Sequence, residues 1–217
     1  MSEAEKAYQE GRALYIAEVF DKAIEQFCIA AEQGHAEAQC KLANCYFLGD
    51  IVEKDSEEAI KWYRKAAEQG HAEAQCRLGE CYAEGNGIEK NEKEAVIWYA
   101  KAALQESRRA QFLLGSCYMS GTGITKNTNE GVIWYRKAAE KGYAEAQYHL
   151  GKCYKEDIGV EYSIEEALRW YKAAASQGHK EAELALKSIK SLIDRKRLPS
   201  PKELELMNKY NRHLFEE

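Results

Sequence analysis

The sequence predicts an all-α fold, a solenoid of stacked helix pairs, and three observations predict it. Tryptophan recurs at Trp62, Trp98, Trp134 and Trp170, a step of 36 residues each time. The neighbouring ladders Cys45/Cys81/Cys117/Cys153 and Tyr46/Tyr82/Tyr118/Tyr154 keep the same step. The only prolines are Pro199 and Pro201, so no proline breaks a helix across the first 198 residues. A fixed period of this length marks a repeat array, in which one helix pair cannot bury its apolar face alone and neighbours must stack.

Each copy holds two helical patterns. In the first, Ala74, Leu78, Cys81 and Tyr82 fall at i, i+4, i+7 and i+8, a single apolar face. Gly79 interrupts that helix at a cost of roughly 0.5–1 kcal/mol relative to alanine. It recurs at Gly115 and Gly151, with Ala43 in the earlier copy, so another helix is expected to pack too close for a side chain. The second helix opens at Asp55, Asn91, Asn127 and Ser163, all good N-cap types, and Glu58, Glu94, Glu130 and Glu166 complete capping boxes three residues on. Ala95, Trp98, Tyr99 and Ala102 give its buried face. It ends at Gly34, Gly70, Gly142 and Gly178, while Glu106 in the third copy predicts an irregular turn. The loops GNGIEKN and GTGITKN have no preceding strand and no Lys-Ser/Thr pair, so they read as turns and not as phosphate loops.

Composition narrows the function. The net charge of −5 lacks the basic excess that nucleic acid demands. The N-terminus is acidic where a signal peptide is basic, and no apolar run is long enough to span a bilayer, so a cytoplasmic protein is expected.

The A-x-x-x-L-G-x-x-Y first helix, the G-x-G-I turn and the K/E-A-x-x-W-Y-x-K-A-A second helix ending in Q-G resemble the Sel1-like repeat family over about residues 35–190. The segment 4–34 is similar to an ordinary tetratricopeptide repeat through Gly11, Leu14, Ala23, Phe27 and Ala30. Its inter-helix loop is four residues shorter, 12 steps from Gly11 to Ala23 against 16 from Gly79 to Ala95. The resemblance implies a right-handed α/α superhelix whose first helices line a concave groove, and an adaptor or scaffold role without intrinsic catalysis. The helix pairs are expected at 4–34, 35–70, 71–106, 107–142 and 143–178, with a half repeat over 179–197 completing a solenoid domain of residues 1–198. Over 199–217, Ser200, Pro201 and Glu203 open a last helix with Leu204, Met207, Tyr210 and Leu214 as its stripe, expected to cap the array.

The cysteine ladder reads as a run of small buried hydrophobes. Equivalent positions on stacked helices lie roughly 8–10 Å apart, beyond the disulfide limit of about 7 Å. Cys40 and Cys76 are expected to face the groove, and two thiols a repeat apart cannot converge on a metal. His35, His71 and His179 keep the period and read as turn or cap residues. No catalytic constellation, metal set or cofactor motif stands outside the repeats. The run Arg195-Lys196-Arg197 reads as helix-terminal charge.

Function is then expected where the repeats differ. Three rows should face the groove: Tyr8, Cys40, Cys76, Phe112, Tyr148 and Leu184; Arg12, Asn44, Glu80, Ser116, Lys152 and Ser188; and Tyr15, Phe47, Ala83, Met119, Lys155 and Ser191. Tyr8, Tyr15, Phe47, Phe112, Met119 and Tyr148 would anchor a peptide or helix, with Arg12 and Lys152 tuning it. For any one of them, packing against a neighbouring first helix is an equal alternative. Arg109 breaks the row Glu37, Glu73, Glu145 and Glu181 and is a further candidate contact. The expected function is a protein-interaction scaffold holding a protein or peptide segment. An inhibitor or immunity-type protein that wraps an enzyme is the alternative, and an exposed end helix would also allow a homodimer.

Overall fold

The computed structural model describes residues 1–195, which form eleven helices and no strand. They are α1 (Glu3–Ile16), α2 (Phe20–Glu32), α3 (Ala36–Leu48), α4 (Ser56–Glu68), α5 (Ala72–Glu84), α6 (Glu92–Leu104), α7 (Arg108–Ser120), α8 (Thr128–Glu140), α9 (Ala144–Glu156), α10 (Ile164–Ala175) and α11 (Lys180–Arg195). Each helix packs chiefly on its neighbours in the chain, most closely within the pairs α1/α2 to α9/α10, so the array is a solenoid. The capping helix expected over 199–217 lies outside the described residues, as do the side chains of the basic run.

The period-keeping residues build the core. A Cβ on Gly79 would stand 2.7 Å from the Tyr99 ring and 3.2 Å from the carbonyl oxygen of Ala95, so the glycine lets α5 and α6 touch. Gly115 meets Tyr135, Gly151 meets Tyr171 and Gly11 meets Phe27 in the same way. Gly87 has a φ of +71°, and a Cβ there would stand 2.5 Å from the Ser56 carbonyl oxygen, so this loop rests on the start of the previous repeat's second helix.

The N-caps form as expected, but the capping boxes are only half made. Asp55, Asn91, Asn127 and Ser163 each accept from the backbone N–H three residues on. Their own N–H groups donate instead to the carbonyls of the ladder tyrosines Tyr46, Tyr82, Tyr118 and Tyr154. Those carbonyls leave the glutamates no amide to take, and Glu58 and Glu166 turn to Lys61 and Arg169.

Glu106 also departs from expectation. It adopts φ +66°, the left-handed conformation that glycine takes at the other junctions, so the backbone turn is regular there. The histidines cap as predicted: Nδ1 of His35, His71 and His179 accepts from Ala38, Ala74 and Ala182. Nε2 of His35 and His71 contacts Glu5 and Glu37 of the preceding repeat at 2.9 and 2.8 Å, giving those glutamates a role beyond the helix dipole.

A ladder of buried glutamines ties the repeats together. The side-chain amides of Gln39, Gln75, Gln111 and Gln147 donate to the carbonyls of Ala31, Ala67, Ala103 and Ala139. Gln69, Gln105 and Gln177 donate in turn to Gln39, Gln75 and Gln147. The rung fails once. Lys141 stands where the others have glutamine, reaches Glu106 instead, and leaves Oε1 of the 3% exposed Gln111 without a protein donor.

Candidate partner-binding groove

The first helices α1, α3 and α5 carry a cavity of about 370 Å³ near the N-terminal end of the groove. Arg12, Tyr15 and Ile16 form one wall, Lys41, Asn44, Phe47 and Leu48 the other, and Arg77 reaches it from α5. Phe27 and Tyr63, from the second helices, line its base and are themselves buried. The apolar side chains of the walls are accessible: Tyr15 is 41% exposed, Ile16 76% and Leu48 64%. Tyr15 is held edge-on to Phe20 with centroids 5.6 Å apart, and Phe47 leans on Tyr63 at 6.2 Å. The Tyr63 hydroxyl donates to Asn44 at 2.6 Å, which fixes the asparagine at the cavity wall. A wider trough of about 970 Å³ lies between the loops of the third and fourth repeats, but Ile124 is its only large apolar side chain and it offers no anchor pocket.

Of the sequence-predicted residues, Arg12, Tyr15 and Phe47 meet in this cavity. Tyr8 does not. It is 7% exposed and stacks on His35 at 4.4 Å, at the junction of the first two repeats. Cys40 and Cys76, expected to face the groove, are 1% and 3% exposed and lie between helices. The first row was phased one residue, about 100° of helix, too early. The groove-facing residues of that turn are Lys41 and Arg77, which the sequence reading missed. Their signal was present, because Lys41, Asn44 and Leu48 fall at i, i+3 and i+7 on one face of α3.

Farther along, Phe112 and Tyr148 share the inward position of Cys40 and Cys76, and they pack among other rings instead of lining an open groove. Phe112 stacks on Tyr135 at 5.4 Å and meets Tyr143 and His149 at the same distance. Tyr148 meets His149 at 5.3 Å and stacks on His179 at 4.7 Å. Met119 occupies the space above Gly131, where the other repeats carry alanine. Arg109 pairs with Glu80 at 2.6 Å, and Lys152 stands 3.9 Å from Glu156.

The buried cysteines are not activated as nucleophiles. All seven cysteines are unpaired thiols. Burial pushes Cys40, Cys76 and Cys81 up to about 12 and Cys45, Cys117 and Cys153 up to about 11, so they stay protonated and unreactive at neutral pH. Among the described residues no cluster of histidine, cysteine and carboxylate side chains could hold a metal. No described helix is long and apolar enough to cross a membrane.

The Sel1 repeat family model matches residues 4–35, 36–71, 72–107, 108–143 and 144–179. The chain belongs to the Sel1 repeat family. Sel1 repeat proteins are in general non-enzymatic scaffolds for protein interaction. Among solved structures, this Sel1 repeat chain is similar to a Sel1 repeat protein from Oxalobacter formigenes, with 37% identity and a TM-score of 0.79 over 92% of this chain and 81% of that one. It is also similar to c5321, a protective antigen of uropathogenic Escherichia coli with the same fold, at 33% identity and a TM-score of 0.82. That match covers 86% of this chain but only 41% of the antigen. The immunity protein Pa5087 from Pseudomonas aeruginosa matches at 28% identity and a TM-score of 0.56, over 84% of this chain and 69% of that one. Comparison with curated proteins yields no match.

Proposed function

We propose that this Sel1 repeat array is a cytoplasmic, non-enzymatic scaffold that holds a segment of a partner protein in the N-terminal part of its groove. Tyr15 and Phe47 are the anchors, with Ile16 and Leu48 beside them and Arg12 at the rim. The observation that carries this reading is the cavity between α1 and α3, walled by exposed apolar side chains over a buried base. Apolar walls with a few placed polar groups are the usual make-up of a recognition pocket. The unpaired thiols support a reducing compartment. A photocrosslinking residue at Leu48 should capture the partner in source cells, whereas one at Ile133, on the outward face of α8, should not. Equal capture from both positions would sink the reading.

A second reading is kept because of the likeness to the immunity protein Pa5087: the array wraps and blocks a whole enzyme. The size of the captured complex separates the two. A blocker should form a stoichiometric complex with a folded protein that resists dilution to nanomolar concentration, while a scaffold holding a short segment should dissociate at roughly micromolar concentration.

A further inference from the structure

We infer that the segment held in the α1/α3 cavity is acidic: one large apolar side chain flanked by carboxylates. This rests on the groove reading above and adds the partner's chemistry to it. The cavity lining carries three cations, Arg12, Lys41 and Arg77, against one carboxylate, Asp50, a local balance of +3 − 1 = +2. The chain as a whole is at −5, so the cavity is a positive spot on an acidic molecule.

The three cations are not equally committed. Arg77 already pairs with Glu80 at 3.3 Å, and Glu80 also holds Arg109. Glu73 stands 3.5 Å from the Asn44 amide on the same side. Arg12 and Lys41 are different. Neither has a carboxylate within 4.0 Å among the described residues: Arg12 donates to the neutral Gln9 at 3.4 Å and lies 5.8 Å from the Tyr8 ring centroid, and Lys41 acts only at longer range on Glu37, one turn back on α3. Arg12 belongs to the Tyr15 wall and Lys41 to the Phe47 wall. An apolar side chain entering between Tyr15 and Phe47 therefore passes two unpaired cations on opposite sides. Carboxylates beside that anchor would exchange water for charge-assisted hydrogen bonds on either flank. A lysine or arginine beside it would meet like charge.

The repeat pattern sharpens the point. The column runs Gln9, Lys41, Arg77, Leu113 and His149, so its charged members sit at the open cavity and its apolar and aromatic members beside the closed ring cluster. Lys41 is thus no generic surface lysine of the repeat.

The test uses the full chain and three short fluorescein-labelled peptides, read by fluorescence anisotropy. The first has one phenylalanine between pairs of glutamates, the second replaces the glutamates by lysines, and the third replaces the phenylalanine by serine. The glutamate–phenylalanine peptide is expected to bind at roughly micromolar strength. The other two should be weaker by roughly tenfold or more. Raising the ionic strength should weaken the first peptide severalfold, since the rim charges are exposed to screening. Arg12→Glu with Lys41→Glu should abolish its preference over the lysine peptide, while Lys187→Glu, an exposed charge on α11, should leave it unchanged. If the lysine and glutamate peptides bind alike, and both are lost in Phe47→Ala, the acidic inference is overturned while the groove reading stands. If no peptide binds, the acidic inference is likewise overturned, and the crosslinking at Leu48 judges the groove by itself.

Discussion

The two ends of the array set aromatic side chains from different rows of the repeat over equivalent second-helix rings, Tyr63 and Tyr135, and reach opposite outcomes. Toward the N-terminus, Tyr15, Phe47 and their neighbours stand apart over buried Phe27 and Tyr63 and leave a cavity of about 370 Å³. Toward the C-terminus, Phe112, Tyr135, Tyr143, His149 and Tyr148 close on one another, with centroid distances of 5.3–5.5 Å between successive rings. An aromatic row is therefore not by itself a binding surface. The column beside it differs as well, with lysine and arginine at one end and leucine and histidine at the other.

This contrast predicts unequal costs for similar substitutions. Phe112→Ala removes the ring that three others lean on and should cost about 3 kcal/mol, read as a lower urea midpoint at constant slope. Phe47→Ala, at the edge of a cavity, should cost nearer 1 kcal/mol while weakening partner binding far more than Phe112→Ala does. Equal stability losses would mean that the open and closed ends are not distinct.

A smaller effect should come from pH. Burial lowers the His149 pKa below 6.5, and the nearby charges of Lys152 and His179 lower it further, against an opposing pull from Glu145. The unfolded chain thus takes up a proton more readily than the folded one. The stability tied to His149 is fully present above 6.5 and is lost as pH falls through that value toward the folded pKa. His149→Leu, the residue at the same place in the preceding repeat, should flatten this part of the melting-temperature profile between pH 7.5 and 5.5. An unchanged profile would remove His149 as its source.

The smallest effect expected is at the broken glutamine rung. Lys141→Gln should give Gln111 its missing donor and raise stability by about 1 kcal/mol by urea unfolding. If it lowers stability instead, the Lys141–Glu106 pair matters more than the rung.

Much of this architecture was legible in the sequence, and the reasons are local. Gly79 opposite Tyr99, Asn91 at a helix start and His71 at a junction each depend on a few neighbours in the chain, so the period exposes them. The phase of the groove was harder. A first helix buries side chains against its own second helix, the preceding one and the adjacent first helices, so apolar residues cover a wide arc and do not mark which edge is open. Cys40 and Lys41 sit side by side, and only packing shows that the thiol is buried while the lysine lines the cavity. The half-made capping boxes were invisible for a similar reason, since the ladder tyrosine carbonyl that takes the N-cap amide is nine residues away in the chain.

The way one repeat seats on the last carries a consequence for how such a chain can change length. Each junction draws on the same parts: a glycine loop resting on the previous second helix, a glutamine rung and a histidine cap in most copies. Cutting out 36 residues at any point within the regular copies would join equivalent positions and present a familiar surface on both sides of the scar. Losing one residue more or fewer within a helix would rotate everything beyond it by about 100° and strand the core side chains in water. The array can therefore lengthen or shorten only in whole steps, and a step inserted between Arg77 and Phe112 would carry the open cavity and the closed aromatic cluster one full repeat farther apart while leaving the residues of both in place.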